Sequence, residues 1–146
     1  MVEIEGYNLP DELYYTDRNL WVKLEPDGTV RVGFNDLAQK LAGKITGVRF
    51  FPVGKKVKKD KIFGSVESAK WVERLKAPVS GTIIEVNEEL KRNPSLINKD
   101  PYGTGWFVRI KPESQEQLEV ELSNLAHGKE AVEKFLKEQI KKLVKK

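Results

Sequence analysis

The chain has 146 residues, of which 39% are hydrophobic and 33% are charged, and its formal net charge at pH 7 is +4. This length predicts one domain with a buried core, and the absence of cysteine excludes disulfides, thiolate metal sites and a cysteine nucleophile. No apolar run is long enough to span a bilayer and the N-terminus is acidic, so we expect a soluble cytoplasmic protein without a membrane partner.

The excess of positive charge is confined to the end of the chain. Residues 127–146 contain seven lysines and three glutamates, whereas residues 1–126 contain 19 basic and 19 acidic side chains. A nucleic-acid-binding surface needs a basic stripe with interleaved aromatic residues, and the sequence shows no such stripe. We therefore expect no nucleic-acid partner.

The first half of the chain predicts a hairpin, a short helix and a return to strands. Alternating hydrophobic runs at 20–24 and 29–34 flank a Glu-Pro-Asp-Gly turn, which favours a β-hairpin. Asn35 is suited to cap a short helix that ends at Gly43. Strand character follows over residues 45–68.

The middle of the chain predicts a second hairpin with Lys70 at its tip. Segments 61–68 and 74–86 have strand character and are expected to pair antiparallel around the Ala-Lys-Trp-Val stretch. A lysine on such a tip projects its ammonium away from the body, where another enzyme can acylate it. Glu67, three residues earlier, is a candidate for recognition of this turn. By composition alone, the favoured interpretation of Lys70 is an ordinary solvated lysine in a turn.

The C-terminal part predicts a strand followed by two helices. A polar loop at 91–105 leads into a strand at 106–112. Ser114 stands three residues before Gln117, which is the spacing of a capping box. A last helix at 129–144 has one apolar face and an opposite face rich in lysine. We expect a packed helix with a solvated outer side, with an interaction surface as the alternative.

The pattern Gly-x-Ile-x-x-Val occurs twice, at 43–48 and at 81–86, and each copy leads into a predicted strand. With many short strands and few helices, this repeat predicts a mainly β protein with added helices (α+β). We expect two similar half-sheets packed as a sandwich or flattened barrel. Residues 1–126 are expected to form a single domain, and residues 127–146 a basic amphipathic helix that packs on it or extends from it.

No residue pattern predicts a conventional active site. His127 is the only histidine and lies beside Gly128, without a sequence partner for a catalytic triad. The Gly-Thr-Gly-Trp stretch at 103–106 lacks the lysine of a phosphate-binding loop, and acidic residues do not recur at metal-loop spacing. We therefore expect a carrier or a binding module rather than an enzyme, with no catalytic residue and no metal.

The sequence around Lys70 resembles the lipoyl-attachment region of the glycine cleavage system H protein family. Residues 64–90 read GSVESAKWVERLKAPVSGTIIEVNEEL, with the family motifs Gly-x-Val-Glu-Ser-x-Lys, Ala-Pro-Val-Ser-Gly and Glu-Val-Asn. Residues 93–112 continue the match with NPSLINKDPYGTGWFVRIKP. Upstream, YTDRNLWV, DGTVRVGFNDLAQKLAGKI and PVGKKV also match, so the resemblance covers residues 9–125.

This resemblance implies that Lys70 carries covalent lipoate. Glu67 and Ser68 are candidates for recognition of the attachment hairpin by enzymes, and Trp71, beside the lysine, is a candidate for contact with the arm. The resemblance implies a lipoyl/biotinyl-like β-sandwich of two sheets, so that residues 1–126 would be a lipoyl-type domain. The lysine would lie on a hairpin tip, with C-terminal helices outside the sheets.

The resemblance also implies a role and a set of partners. Such a chain is not an enzyme but a lipoyl carrier, because the chemistry belongs to the cofactor. It would carry the aminomethyl group of glycine from a PLP-dependent glycine decarboxylase to a folate-dependent aminomethyltransferase. An FAD-containing dihydrolipoyl dehydrogenase would reoxidise the arm. A lipoate ligase, or a lipoyl or octanoyl transferase, would attach it.

Two stretches depart from the family pattern. The usual Lys-Ala-x-Ser-Asp becomes Lys-Trp-Val-Glu-Arg, with Arg74 in place of the aspartate. Upstream, Glu-His-x-Trp becomes Arg-Asn-Leu-Trp, so Asn19 stands in place of a histidine. The reversed charge at Arg74 is expected to affect which enzyme docks. The alternative functions are therefore an H-like lipoate-binding protein of a heterodisulfide-reductase-like sulfur oxidation pathway and a relay carrier of lipoyl or octanoyl groups.

Overall fold

The computed structural model describes residues 1–145, which form eleven β-strands in three antiparallel sheets and five α-helices. The strands are β1 (Val2–Ile4), β2 (Tyr7–Leu9), β3 (Tyr14–Tyr15), β4 (Leu20–Leu24), β5 (Val30–Phe34), β6 (Ile45–Phe50), β7 (Lys56–Val57), β8 (Ile62–Ser68), β9 (Val72–Lys76), β10 (Gly81–Val86) and β11 (Val108–Pro112). The helices are α1 (Asp36–Ala42), α2 (Glu89–Arg92), α3 (Leu96–Lys99), α4 (Gln115–Leu122) and α5 (Lys129–Leu143). The chain is mainly β with its longest helix at the C-terminus, as its sequence predicts.

The larger sheet has the strand order β3-β4-β5-β11-β10-β7. Its β4–β5 pair is the first predicted hairpin, and Val22 lies opposite Val32 within it. In the connecting turn, the Asp27 carboxylate accepts hydrogen bonds from the Thr29 hydroxyl at 2.7 Å and the Thr29 amide at 3.0 Å. These hydrogen bonds favour the ionised carboxylate and hold the pKa of Asp27 below its ordinary value. The predicted turn is therefore confirmed.

The smaller sheet, β6-β8-β9, contains the predicted antiparallel pair that displays Lys70. Phe63 and Val66 of β8 are buried in one hydrophobic core together with Val22 and Val32 of the larger sheet. Burying a side chain of this size stabilises the fold by about 1.5–3 kcal/mol. The hairpin is therefore fixed to the body through the core between the two sheets.

The two main sheets are open, and the predicted flattened barrel is wrong. Among the described residues, the end strands β3 and β7 of the larger sheet have no ladder to the smaller sheet. The sheets have six and three strands, so the two Gly-x-Ile-x-x-Val segments lie in unlike sheets rather than in similar halves. The sequence analysis also missed a two-stranded sheet, β1–β2, whose strands of three residues are too short to show a period.

The predicted caps of α1 and α4 are present. Asn35 Oδ1 accepts from the Ala38 amide at 2.9 Å, and Gly43 ends α1 with a φ of 74°. Ser114 Oγ accepts from the Gln117 amide at 3.1 Å. The Gln117 side chain, however, approaches Glu121 one turn further along α4 and does not turn back to Ser114. Only the Ser114 half of the predicted capping box therefore forms.

The segment predicted as a polar loop at 91–105 is partly helical. It contains the end of α2 and all of α3, each a helix of four residues. Asn93 and Pro94 separate them, and a residue before proline disfavours helical backbone, so neither turn grows long enough to produce a helical period.

The last helix packs on the body. The structure ends α5 at Leu143, one residue before the predicted end, and α5 buries Val132, Leu136 and Ile140 in a second hydrophobic cluster that includes Trp21. The expected segment 127–146 includes Lys146, which lies outside the described residues. The division of the chain at residue 126 stays a prediction.

Candidate functional site

A short three-residue connection, Ala69 to Trp71, joins β8 to β9 and places Lys70 at its centre, the tip of the hairpin. The Ser68 amide donates to the Trp71 carbonyl at 2.9 Å across this turn. The Ser68 hydroxyl donates to the same carbonyl and accepts from the Lys70 amide, both at 3.4 Å. Ser68 is buried, so these hydrogen bonds hold the turn on its inner side. Ser68 therefore lies within the turn, and its part in recognition of the hairpin stays a prediction.

The Lys70 side chain is exposed. Within residues 1–145 its Nζ has no hydrogen-bond or ion-pair partner, and only its backbone amide makes a contact. The short turn leaves few backbone conformations open, so the stem of the side chain starts from a defined position. This geometry presents a primary amine that a modifying enzyme can reach.

Glu67 lies on the outer face of the smaller sheet, on the row next to the tip. It pairs with Gly47 on one side and Val72 on the other, and its carbonyl accepts from Thr46 Oγ1 at 3.3 Å. A Cβ at Gly47 would lie 4.0 Å from Glu67 Oε1, so the carboxylate extends over the glycine. The side chain is exposed. Glu67 is therefore accessible to an enzyme that approaches the hairpin.

Trp71 lines a groove beside the tip. Its side chain is 55% exposed, and the groove has a volume of about 280 Å³. The lining comes from the hairpin, from the loop before β4, from β5 and α1, and from the end of α5: Arg18, Asn19, Phe34, Ala38, Leu41, Ala42, Trp71, Glu73 and Leu143. Phe34 and Leu143 were not found by sequence analysis, because residues from separate elements meet here without a local motif.

Asn19 holds the chain at the edge of this groove. It is buried at 6% exposure, and its φ of 64° lies in the left-handed region that asparagine tolerates. Its side-chain amide donates to Gln139 Oε1 at 3.0 Å, and its Oδ1 accepts from Asn35 Nδ2 at 3.1 Å. The residue that replaces a family histidine thus connects α5 to the cap of α1.

The other candidates lie apart from this constellation. Arg74 is on the outer face of the smaller sheet, not in the groove. The His127 ring stacks on Tyr14 with centroids 3.9 Å apart, at the residue before the Gly128 cap of α5. Within residues 1–145, no three His, Asp or Glu side chains are placed to hold a metal ion. No helix in this part of the chain has the length and apolar character needed to cross a bilayer.

Comparison with known proteins matches the glycine cleavage H-protein family over residues 13–139. The glycine cleavage system H protein 3 of Aquifex aeolicus is 46% identical over 136 residues, covering 92% of this chain and 84% of the relative. The glycine cleavage system H protein of Halalkalibacterium halodurans is also 46% identical, over 86% of this chain and 96% of the relative.

A solved structure shows the same fold. The crystal structure of a glycine cleavage system H protein from Mycobacterium marinum superposes with a TM-score of 0.68 at 37% identity, covering 73% of this chain and 87% of that one. The family match covers most of the chain and includes the whole Lys70 hairpin. The chain therefore belongs to the glycine cleavage H-protein family, the non-catalytic lipoyl carriers of the glycine cleavage system.

Proposed function

We propose that Lys70 carries lipoate in amide linkage and that the chain shuttles the aminomethyl group of glycine between the enzymes of glycine cleavage. The observation that carries this proposal is the exposed Lys70 amine at the tip of the β8–β9 hairpin, where it has no hydrogen-bond or ion-pair partner within residues 1–145, in a chain of this family. Acylation would convert the ammonium to a neutral amide, so no charge would remain at the base of the arm.

The residues beside the tip fit a long, mostly apolar arm. The groove offers the ring of Trp71 and the apolar side chains of Phe34 and Leu143, which suit an alkyl chain. Asn19 and Glu73 supply polar groups in the same groove. Trp71 would then hold the arm by ring contact when no enzyme is docked. Lipoate itself would supply the dithiolane that this cysteine-free chain lacks.

The hairpin presents the lysine to the enzymes that attach and use the lipoyl arm. Ser68 holds the turn, and the exposed Glu67 carboxylate marks the hairpin for a lipoate ligase or a lipoyl or octanoyl transferase. A tethered arm meets each docked enzyme at a far higher effective concentration than free lipoate would. The partners are glycine decarboxylase, aminomethyltransferase and dihydrolipoyl dehydrogenase, which bring PLP, folate and FAD respectively.

The open β-sandwich supports assignment of residues 1–126 to a lipoyl-type domain. Its two main sheets share one core, and the lysine hairpin extends from the smaller sheet. The names of the relatives favour glycine cleavage over the sulfur-oxidation and relay alternatives. We place the carrier in the cytoplasm, where lipoate-attaching enzymes would meet it.

Reconstitution tests the proposal. The purified chain is lipoylated with a lipoate ligase and then added to the host's glycine decarboxylase in a glycine–bicarbonate exchange assay. We expect exchange with the lipoylated wild type and none with Lys70→Arg. Complete lipoylation without exchange would overturn the glycine-cleavage role. Lipoylation of Lys70→Arg to the wild-type extent would overturn the attachment site.

A Trp71→Ala variant tests the proposed arm contact. We expect full lipoylation of this variant, but faster reaction of the reduced arm with a soluble thiol reagent than in the wild type, because one wall of the groove is lost. Lys23→Ala, on the larger sheet, is the matched control. Equal reaction rates in all three proteins would contradict a role for Trp71 in holding the arm.

A further inference from the structure

We propose that the outer face of the smaller sheet docks an acidic, partly apolar surface of an enzyme that acts on the arm of Lys70. We call this surface the Arg49–Arg74 face; it comprises Arg49, Arg74, Ser65 between them, and the pocket that they border. The inference rests on the proposed function, because it concerns the enzymes that visit the hairpin.

Strand register places the two arginines on one row. Arg49 of β6 and Arg74 of β9 both lie opposite Ser65 of the central strand β8. Neighbouring strands are about 4.8 Å apart, so the two Cα atoms are separated by about 10 Å. Residues paired across a sheet point to the same face, and both guanidinium groups therefore lie on the outer side.

These guanidinium groups are not neutralised by the protein itself. Both side chains are exposed, and in the part of the chain that the structure describes neither forms an ion pair. Glu67 is an exposed acidic residue on the same face, one row nearer the tip, and it lines a shallow pocket together with Arg49. Within residues 1–145 it forms no ion pair with either arginine. An arginine pair about 10 Å apart is suited to carboxylates, which each guanidinium can bind with two hydrogen bonds.

The pocket between the arginines is apolar and has a volume of about 350 Å³. Phe50, Phe51, Ile62 and Gly64 line it, and no acidic side chain does. At Gly64 the backbones of β6 and β8 approach closely, because a Cβ there would lie 2.3 Å from the Arg49 carbonyl oxygen. An apolar floor with a charged rim is the composition of a protein–protein contact.

More exposed features extend the face in both directions. Val72 is 56% exposed and lies two residues before Arg74, while Ile62 is 41% exposed at the far end of β8. Lys55 Nζ lies 5.8 Å from the centroid of the Phe51 ring and adds a third cation. The face therefore combines positive charge with exposed aliphatic side chains, which matches an acidic and partly apolar partner.

The Arg49–Arg74 face lies close enough to the tip for a visiting enzyme to contact it. The arginine row lies three residues below Ser68, which is about 10 Å along the strand. A standard interface of about 800 Å² per partner is roughly 30 Å across. An interface of this size centred on the hairpin tip is therefore wide enough to include the Arg49–Arg74 face.

A nucleic acid fits this face less well. Base stacking needs exposed ring faces, but the Phe50 ring packs on Phe63 and Phe107, with centroids 6.5 and 5.3 Å away. The three cations also form a compact group rather than a stripe that follows a backbone. The chemistry therefore favours carboxylates on a protein.

Steady-state kinetics test the proposal. The lipoylated wild type, Arg49→Glu/Arg74→Glu and a control, Lys23→Glu/Lys111→Glu, are compared as substrates of the host's decarboxylase, aminomethyltransferase and dihydrolipoyl dehydrogenase. The control makes the same charge change at exposed positions of the larger sheet. For at least one enzyme we expect the arginine variant to raise KM about tenfold or more, with kcat unchanged and with the difference shrinking at high salt.

The outcomes separate two failures. Turnover with all three KM values unchanged, or raised equally by the control, would overturn the docking face and leave the proposed function intact. No turnover of the lipoylated wild type would overturn the proposed function, and the docking face with it. Retention on RNA or on anionic vesicles that is lost in the arginine variant, with every KM unchanged, would also overturn the proposal.

Discussion

Replacing Asn19 tests how the edge of the groove is held. Asn19 combines a left-handed backbone, at a φ of 64°, with two buried side-chain hydrogen bonds. Asn19→Gly removes the hydrogen bonds and keeps the backbone conformation easy to adopt. Asn19→Ala removes the same hydrogen bonds and also places a Cβ where the backbone disfavours it. The two variants therefore separate the side-chain contribution from the backbone contribution.

The magnitudes follow from these two terms. Loss of Asn19 leaves Gln139 Oε1 and Asn35 Nδ2 without their partners, and each unsatisfied buried group costs about 1–3 kcal/mol. We expect Asn19→Gly to lower the free energy of unfolding by about 2–6 kcal/mol. An alanine in the left-handed backbone region costs about 1–2 kcal/mol relative to glycine. The greater entropy of glycine in the unfolded state destabilises the glycine variant and offsets about 0.5–1 kcal/mol of that cost. Asn19→Ala should therefore be less stable than Asn19→Gly by about 0.5–1 kcal/mol.

Urea denaturation followed by tryptophan fluorescence measures these differences, provided that the slope m stays constant. Asn124→Gly is the control, because Asn124 is exposed and its side chain makes a single 3.4 Å contact with the Val120 carbonyl. We expect the control to change stability by about 0.5 kcal/mol or less. A loss below about 1 kcal/mol for Asn19→Gly would refute the hydrogen-bond argument. Equal stability of the glycine and alanine variants would refute the backbone argument.

Three further predictions concern Lys70 at the hairpin tip, the buried Glu121 carboxylate and the close backbone contact at Gly64. Lys70→Arg should leave the urea midpoint unchanged and abolish lipoylation by mass spectrometry; loss of cooperative unfolding would contradict an exposed tip. Glu121→Ala removes the acceptor of the Ser80 amide and hydroxyl, at 2.9 and 2.8 Å, and should cost about 2–4 kcal/mol in urea denaturation. A loss below about 1 kcal/mol would contradict the role of this buried carboxylate. Gly64→Ala should cost about 1–3 kcal/mol, because its Cβ would overlap the β6 backbone. Wild-type stability of this variant would show that β6 and β8 can separate there without cost.

Local signals in the sequence predict much of the fold. The Pro-Asp-Gly turn, the Asn35 cap and the apolar face of the last helix each depend on residues close together in the chain, and each is present in the structure. The strands β1 and β2 and the helical turns α2 and α3 are too short to show a period. Closure of a barrel depends on which strands meet at the sheet ends, and the repeat at 43–48 and 81–86 holds no information on that.

The candidate site likewise has one part that the sequence predicts and other parts that it does not. Lys70 is evident from its motif, because the turn and the lysine are adjacent in sequence. The groove is not, since Phe34, Trp71 and Leu143 come from three distant elements. Arg49 and Arg74 lie on one row because both are opposite Ser65, and this depends on the register of three strands. That register includes two irregularities that no sequence pattern shows. Charge counted along the chain therefore misses a basic face that forms across the sheet.

The proposed carrier function depends on attachment of lipoate to Lys70. Mass spectrometry of the peptide that contains Lys70, prepared from protein made in its native host, tests this attachment directly. We expect a lipoyl mass increment on that lysine and on no other lysine of the chain. An unmodified Lys70 in cells that lipoylate their other lipoyl proteins would contradict it.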